Sequence, residues 1–96
     1  MPLRFQWDRR KAKANLGKHG VSFDEASTVF ADPLAKVFFD EDHSRQENRE
    51  ILVGTSILGR LLLVSFTERG EDRIRIISAR EATANERRRH EESREF

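Results

Sequence analysis

Residues 50–79 read EILVGTSILGRLLLVSFTERGEDRIRIISA, and the alternation within them decides the fold. Three apolar runs, Glu50–Ser56, Arg60–Thr67 and Arg73–Ala79, are joined by a short turn containing Gly59 and a polar turn over Glu68–Asp72. Runs of this length with such short connections predict an antiparallel meander. The turns set the registers. With Ile57-Leu58-Gly59 at the first tip, Ser56 is expected opposite Arg60 and Ile51 opposite Ser65. With Gly70 at the second tip, Thr67 is expected opposite Arg73 and Ser65 opposite Arg75. Side chains alternate between faces. One face therefore collects Leu52, Leu62, Val64, Phe66, Ile74 and Ile76, a surface for helices to cover. The other collects Ile51, Val53, Leu61, Leu63 and Ile77 toward one end, and Arg49, Ser65, Thr67, Arg73 and Arg75 toward the other, with Arg69 in the adjoining turn.

Working outward, Leu34–Phe39 reads as a further strand and Asp40–Asn48 as a polar loop. Arg4–Trp7 is a short opening strand. Asp8 can cap a helix that runs to His19 and stops at Gly20. Ser22 with Glu25 is a capping-box pattern, and Phe23, Ala26, Val29 and Phe30 form one stripe of a second helix, Phe23–Phe30, ended by Asp32-Pro33. Thr83 with Glu86 opens a C-terminal helix from Ala84 to about Glu92. That helix has almost no apolar stripe, so it is expected to fray or to lean on a partner. The whole is a single α+β domain, residues 1–96, with the N-terminal helices on one face of a small antiparallel sheet.

Composition narrows the function. The 96 residues are 36% charged and 36% hydrophobic, and the apolar residues are clustered in runs that can fold. Cysteine is absent, which excludes disulfides and thiolate chemistry and points to a cytoplasmic home. The opening MPLRFQWDRRKAK has no signal-peptide core, and the longest apolar run, Leu61–Val64, is too short to span a bilayer, so no membrane partner is expected. Net charge is only +1, which rules out a uniformly cationic coat and confines any polyanion contact to a local patch.

The arginines of the mixed face are the clearest patch. Guanidinium groups among hydroxyls suit phosphate. The alternative is a solvated face opposed by Glu68, Glu71 and Asp72. Arg80, at the far end of the last strand, either extends a nucleic-acid path or anchors the C-terminal helix. His19 can shuttle a proton near neutral pH, or simply complement the dipole at a helix C-terminus. Lys11, Asn15 and Lys18 share a helical stripe that suits either a phosphate backbone or solvent. Asp40-Glu41-Asp42-His43 lacks a second ligand pair, and no zinc spacing or glycine-rich nucleotide loop is present, so no metal or other cofactor is expected.

Several stretches together resemble the BrnT family of type II toxins. These are Phe5–Ala26 (FQWDRRKAKANLGKHGVSFDEA), Val29–Val37 (VFADPLAKV) and Phe66–Arg80 (FTERGEDRIRIISAR), followed by an ATANERRR helix. Only Ser93–Phe96 fall outside the resemblance. It implies a RelE-like ribonuclease fold, RNA cleavage that arrests translation, and neutralisation by a BrnA-like ribbon-helix-helix antitoxin. Operator DNA would be engaged only through that antitoxin.

An RNA 2′-hydroxyl can attack its own adjacent phosphate, so the protein need supply only a base, an acid and cations. Arg49, Arg69, Arg75 and Arg80 are the candidate phosphate or transition-state contacts, and His19 and Glu68 the candidate proton carriers. Lys11, Lys18 and Arg73 are candidate RNA-binding residues. Tyrosine, used by some RelE-like toxins, is absent. Two other readings stand beside this one: a non-catalytic module or corepressor that only engages an antitoxin, and a direct DNA-binding regulator. The balanced charge and the lack of an obvious recognition helix disfavour the second.

Overall fold

The structure, a computed structural model, describes residues 2–41 and 48–92. Strand β1 (Arg4–Gln6) leads into helix α1 (Arg9–His19) and helix α2 (Phe23–Thr28), which tightens into a 3-10 turn at Val29–Ala31. Strands β2 (Lys36–Phe39), β3 (Glu50–Thr55), β4 (Leu61–Glu68) and β5 (Arg73–Glu81) follow, then helix α3 (Ala84–Glu92). They form a five-stranded sheet in the order β1-β5-β4-β3-β2. The expected meander is present: β2 through β5 pair antiparallel. β1 joins the far edge parallel to β5, with Arg4 opposite Arg73 and Gln6 opposite Arg75.

Local chemistry explains the helix ends. The Asp8 carboxylate accepts from the Arg10 and Lys11 amides at 2.8 and 3.2 Å. Gly20 closes α1 at φ 68°, a left-handed conformation that glycine adopts without a Cβ clash. The Ser22 hydroxyl accepts from the Glu25 amide at 3.0 Å, but the Glu25 carboxylate does not complete the capping box. It turns into the fold and pairs with Arg60, whose Nε donates to it at 2.9 Å, and with the Ser56 hydroxyl at 2.7 Å. This ties α2 to the β3–β4 turn. Hydrogen bonds from Arg60, chiefly, hold the Glu25 carboxyl below its ordinary pKa.

The second helix is shorter than Phe23–Phe30 because its last turn tightens at Val29. β2 starts at Lys36 rather than Leu34, because the Leu34 and Ala35 amides are drawn back to Asp32. The Thr55 amide donates to the other Asp32 oxygen at 2.8 Å, binding this turn to the end of β3. Gly54 lies where these segments meet. A methyl there would come within 2.8 Å of the Ala35 Cβ and 2.9 Å of Val29 Cγ1.

The β3–β4 register is as expected, with Ile51 opposite Ser65. The β4–β5 register is not. Thr67 pairs with Arg75 rather than Arg73, Phe66 with Ile76, and Ser65 with Ser78 rather than Arg75. A β-bulge between these pairs leaves Ile77 as an extra residue on β5. A bulge inverts the alternation beyond it. Ile74 and Ile76 face the helices before it and Ala79 faces them after it. Ser78 and Arg80 are thereby turned to the opposite face.

The core lies between the sheet and the N-terminal helices. Val21, Phe23, Ala26 and Val29 pack on Leu52, Leu62, Val64, Phe66, Ile74, Ile76 and Ala79. Phe30 bridges Phe5 and Phe66, with ring centroids 5.1 and 5.0 Å away. Trp7 meets Phe23 edge-on at 5.9 Å. Fully burying a side chain such as Phe23 or Leu62 contributes roughly 1.5–3 kcal/mol. No helix among the described residues is long and apolar enough to cross a membrane.

Candidate functional site

The face of the sheet away from the helical core is ordered in rows across the strands. One row runs from Arg49, just before β3, through Thr67 on β4 and Arg75 on β5 to Gln6 on β1. The next holds Phe38, Ile51, Ser65 and Ser78. A third holds Lys36, Val53, Leu63 and Arg80. At the hairpin end, Arg73 lies beside Arg4 and bonds through its carbonyl to the Arg69 amide. Arg49, Arg73 and Arg75 therefore gather at one end of this face and Ile51, Val53 and Leu63 toward the other, as the alternation predicts, with Lys36 and Arg80 flanking the apolar end.

Arg49 and Arg75 are half-buried, while Arg69 and Arg73 are exposed. Among the described residues, no side-chain hydrogen bond or ion pair occupies Arg73 or Arg75. Strands lie about 4.8 Å apart, so the backbones of Arg49 and Arg75 are about 10 Å apart with Thr67 between them. Two guanidinium groups at that spacing can converge on one phosphate. Beside this row a cleft is lined by Asn48, Glu50, Thr67, Glu68 and Arg69. It sets two acidic residues, Glu50 and Glu68, and the basic Arg69 around one opening, with Thr67 in its wall.

The apolar end is not open. α3 lies across it, leaving a groove lined by Phe38, Ile51, Val53 and Leu63 from the sheet and by Glu86, Arg89 and His90 from the helix. Arg80 anchors the helix: its Nη1 and Nη2 each donate to a different oxygen of Glu86 at 2.8 Å. Those bonds, with the Thr83 backbone amide, bring the Glu86 carboxyl down to about 2. Thr83 and Glu86 also form the expected reciprocal capping box, at 2.9 and 3.2 Å. The helix that reads as having almost no apolar stripe is held by this ion pair and by His90, which is buried.

A family model described as "Ribonuclease toxin, BrnT, of type II toxin-antitoxin system" matches residues 7–86. The chain belongs to this BrnT family. It is also similar to the crystal structure of the Brucella abortus ribonuclease toxin BrnT, with a TM-score of 0.67 and 25% sequence identity. That match covers 84% of this chain and 97% of the Brucella chain. No curated protein matches it.

Within this BrnT-family chain, the residues singled out from sequence fall into two groups. Arg49, Arg69, Arg73, Arg75 and Glu68 lie together at the basic end of the outer face and its cleft. His19 does not join them. It ends α1 next to Gly20, whose carbonyl accepts from Arg60 at 3.0 Å, at the start of β4. Glu68 is at the other end of that strand, about 23 Å away at the ordinary rise per residue. Lys11 and Lys18 are exposed on α1, and Asn15 between them points inward. The stripe is thus neither a continuous phosphate track nor a solvated face. Arg80 reaches the outer face only because of the bulge, and its guanidinium is committed to Glu86.

Gln6, Asn48, Ser78 and His90 were not picked out from sequence. Glu86 and His90 are four apart, a spacing that puts them on one helical face. That signal was readable. Ser78 could not be found without knowing of the bulge. Among the described residues no three acidic or histidine side chains are placed to hold a metal ion. The Asp40–His43 candidate lies partly outside the described residues.

Proposed function

We propose that this toxin cleaves RNA by attack of a 2′-hydroxyl on the adjacent phosphate, without a metal ion. The observation that carries the reading is the row in which Arg49 and Arg75 flank Thr67, with Glu68 at the adjoining cleft. Arg49, Arg75 and Arg69 neutralise the scissile phosphate as charge builds on its oxygens. Glu68 takes the 2′-hydroxyl proton. The O2′–P bond forms, the P–O5′ bond breaks, and the leaving O5′ gains a proton from water. The products are a 2′,3′-cyclic phosphate and a 5′-hydroxyl. Arg73 and Arg4 extend the path for the RNA backbone. Arg80 acts through Glu86 by holding α3 at the margin of that path, and His19 has no part in it.

RNA cleavage of this kind arrests translation. A BrnA-like ribbon-helix-helix antitoxin neutralises the toxin and carries it to operator DNA. A purely antitoxin-binding role is the alternative, favoured by the exposed Val37, Phe38 and Phe39 on the edge strand β2. Incubation of the purified toxin with RNA in excess EDTA separates these readings. Cyclic-phosphate products are expected. Activity that disappears and returns with magnesium would overturn the metal-free mechanism, and no cleavage under either condition would favour the binding role.

A further inference from the structure

Thr67 occupies the middle of the arginine row, and its hydroxyl is buried there. The residue is 2% exposed, and its Oγ1 is sealed from solvent with no hydrogen-bond partner. Several hydroxyls elsewhere in the chain have partners. Ser56 is bonded to Glu25, Thr28 to the Glu25 carbonyl and the Ile57 amide, and Ser22 and Thr83 to helix amides. Burying an unpaired hydroxyl is destabilising, and valine would fill the same space in a strand without that penalty. A threonine at such a position calls for an explanation.

We propose that Thr67 is a catalytic residue of the RNA-cleaving site, its hydroxyl donating a hydrogen bond to a non-bridging oxygen of the scissile phosphate. This rests on the proposed ribonuclease activity and adds a neutral donor to it. The cross-strand pairing with Arg75 and the alignment with Arg49 put Thr67 between the two arginines of the row. The Arg75 side chain has no hydrogen bond or ion pair to break among the described residues, so it can swing onto an arriving phosphate and uncover the hydroxyl. The unpaired donor then gains its partner when substrate binds. The bond strengthens as negative charge accumulates on that oxygen in the transition state.

The test compares the wild type with Thr67→Val and Thr67→Ser, using a short RNA and the same RNA with sulfur replacing one non-bridging oxygen. Thr67→Val should melt at a higher temperature than wild type yet cleave about tenfold to a hundredfold more slowly, mainly in kcat. Thr67→Ser keeps the donor and should retain most of the activity. Sulfur is a weak acceptor, so one phosphorothioate diastereomer should slow the wild type, and Thr67→Val should lose that discrimination. A Thr67→Val protein that cleaves at the wild-type rate, keeps the same thio effect, or melts lower would overturn the proposal. A wild type that cleaves no RNA would instead bring down the ribonuclease reading itself.

Discussion

The Asn15 side chain holds both polar groups of the Ala79 backbone, 64 residues away in sequence: its Nδ2 donates to the Ala79 carbonyl at 2.8 Å and its Oδ1 accepts from the Ala79 amide at 3.1 Å. A second Nδ2 bond, to the Val21 carbonyl at 2.9 Å, fixes the amide in place. β1 pairs with β5 only as far as Arg75. Beyond it, the side-chain amide stands in for the missing strand. It thereby holds β5 just past the bulge, where Ser78 and Arg80 are turned to the arginine-bearing face.

Asn15 should accordingly be a stability determinant despite lying on a helix. Asn15→Ala leaves three buried backbone groups without their partner, and should cost about 3 kcal/mol. Asn15→Asp should be worse, because it loses the donor and sets a carboxylate against two carbonyl oxygens. Urea denaturation of both variants checks the order. A destabilisation below about 0.5 kcal/mol for Asn15→Ala would show that the bulge holds without it.

Arg75 and Arg49 should separate activity from stability. Both are half-buried, more enclosed than a solvated strand arginine, so truncation to Ala should cost up to about 1 kcal/mol in folding through lost packing. Loss of a transition-state contact should cost about 3 kcal/mol of barrier, on the order of a hundredfold in rate. Lysine keeps the charge but not the forked geometry, and should restore only part of the activity. Cleavage rates and melting curves on the same preparations provide the comparison. Fully active Ala variants would place the site elsewhere on the molecule.

The attachment of α3 should depend on pH through Glu86. Its carboxyl titrates at about 2 in the folded chain against an ordinary 4.5, mainly because Arg80 binds the charged form. A depressed carboxylate contributes stability that is complete above about 4.5 and is lost as pH falls toward about 2. Hydrogen-exchange protection of residues 84–92 should therefore hold down to that range and then decline ahead of the core. Arg80→Ala should reproduce the loose helix at neutral pH. Unchanged protection in that variant would show that His90 and the groove suffice to hold α3.

The sequence by itself determined the elements, the meander and the composition of both faces as far as the bulge. Periodicity of two in Leu62, Val64 and Phe66, and capping at Asp8, Ser22 and Thr83, are local properties, so they survive into the fold with small changes of boundary. The β3–β4 register was readable too, because a short turn leaves the two strands little freedom to slip. The basic cluster of Arg49, Arg73 and Arg75 follows from the same alternation. Tertiary structure alone decided the rest. The β4–β5 pairing is already two residues off its expected register at Thr67, and the bulge at Ile77 adds one more and turns Arg80 over; Asn15, from a distant helix, sustains it. The Glu25 carboxylate leaves its expected cap for Arg60, a partner 35 residues away. Sequence spacing reports what neighbouring residues can do. It carries no record of which distant side chain completes an unpaired backbone group, or of the buried Thr67 hydroxyl left without a partner.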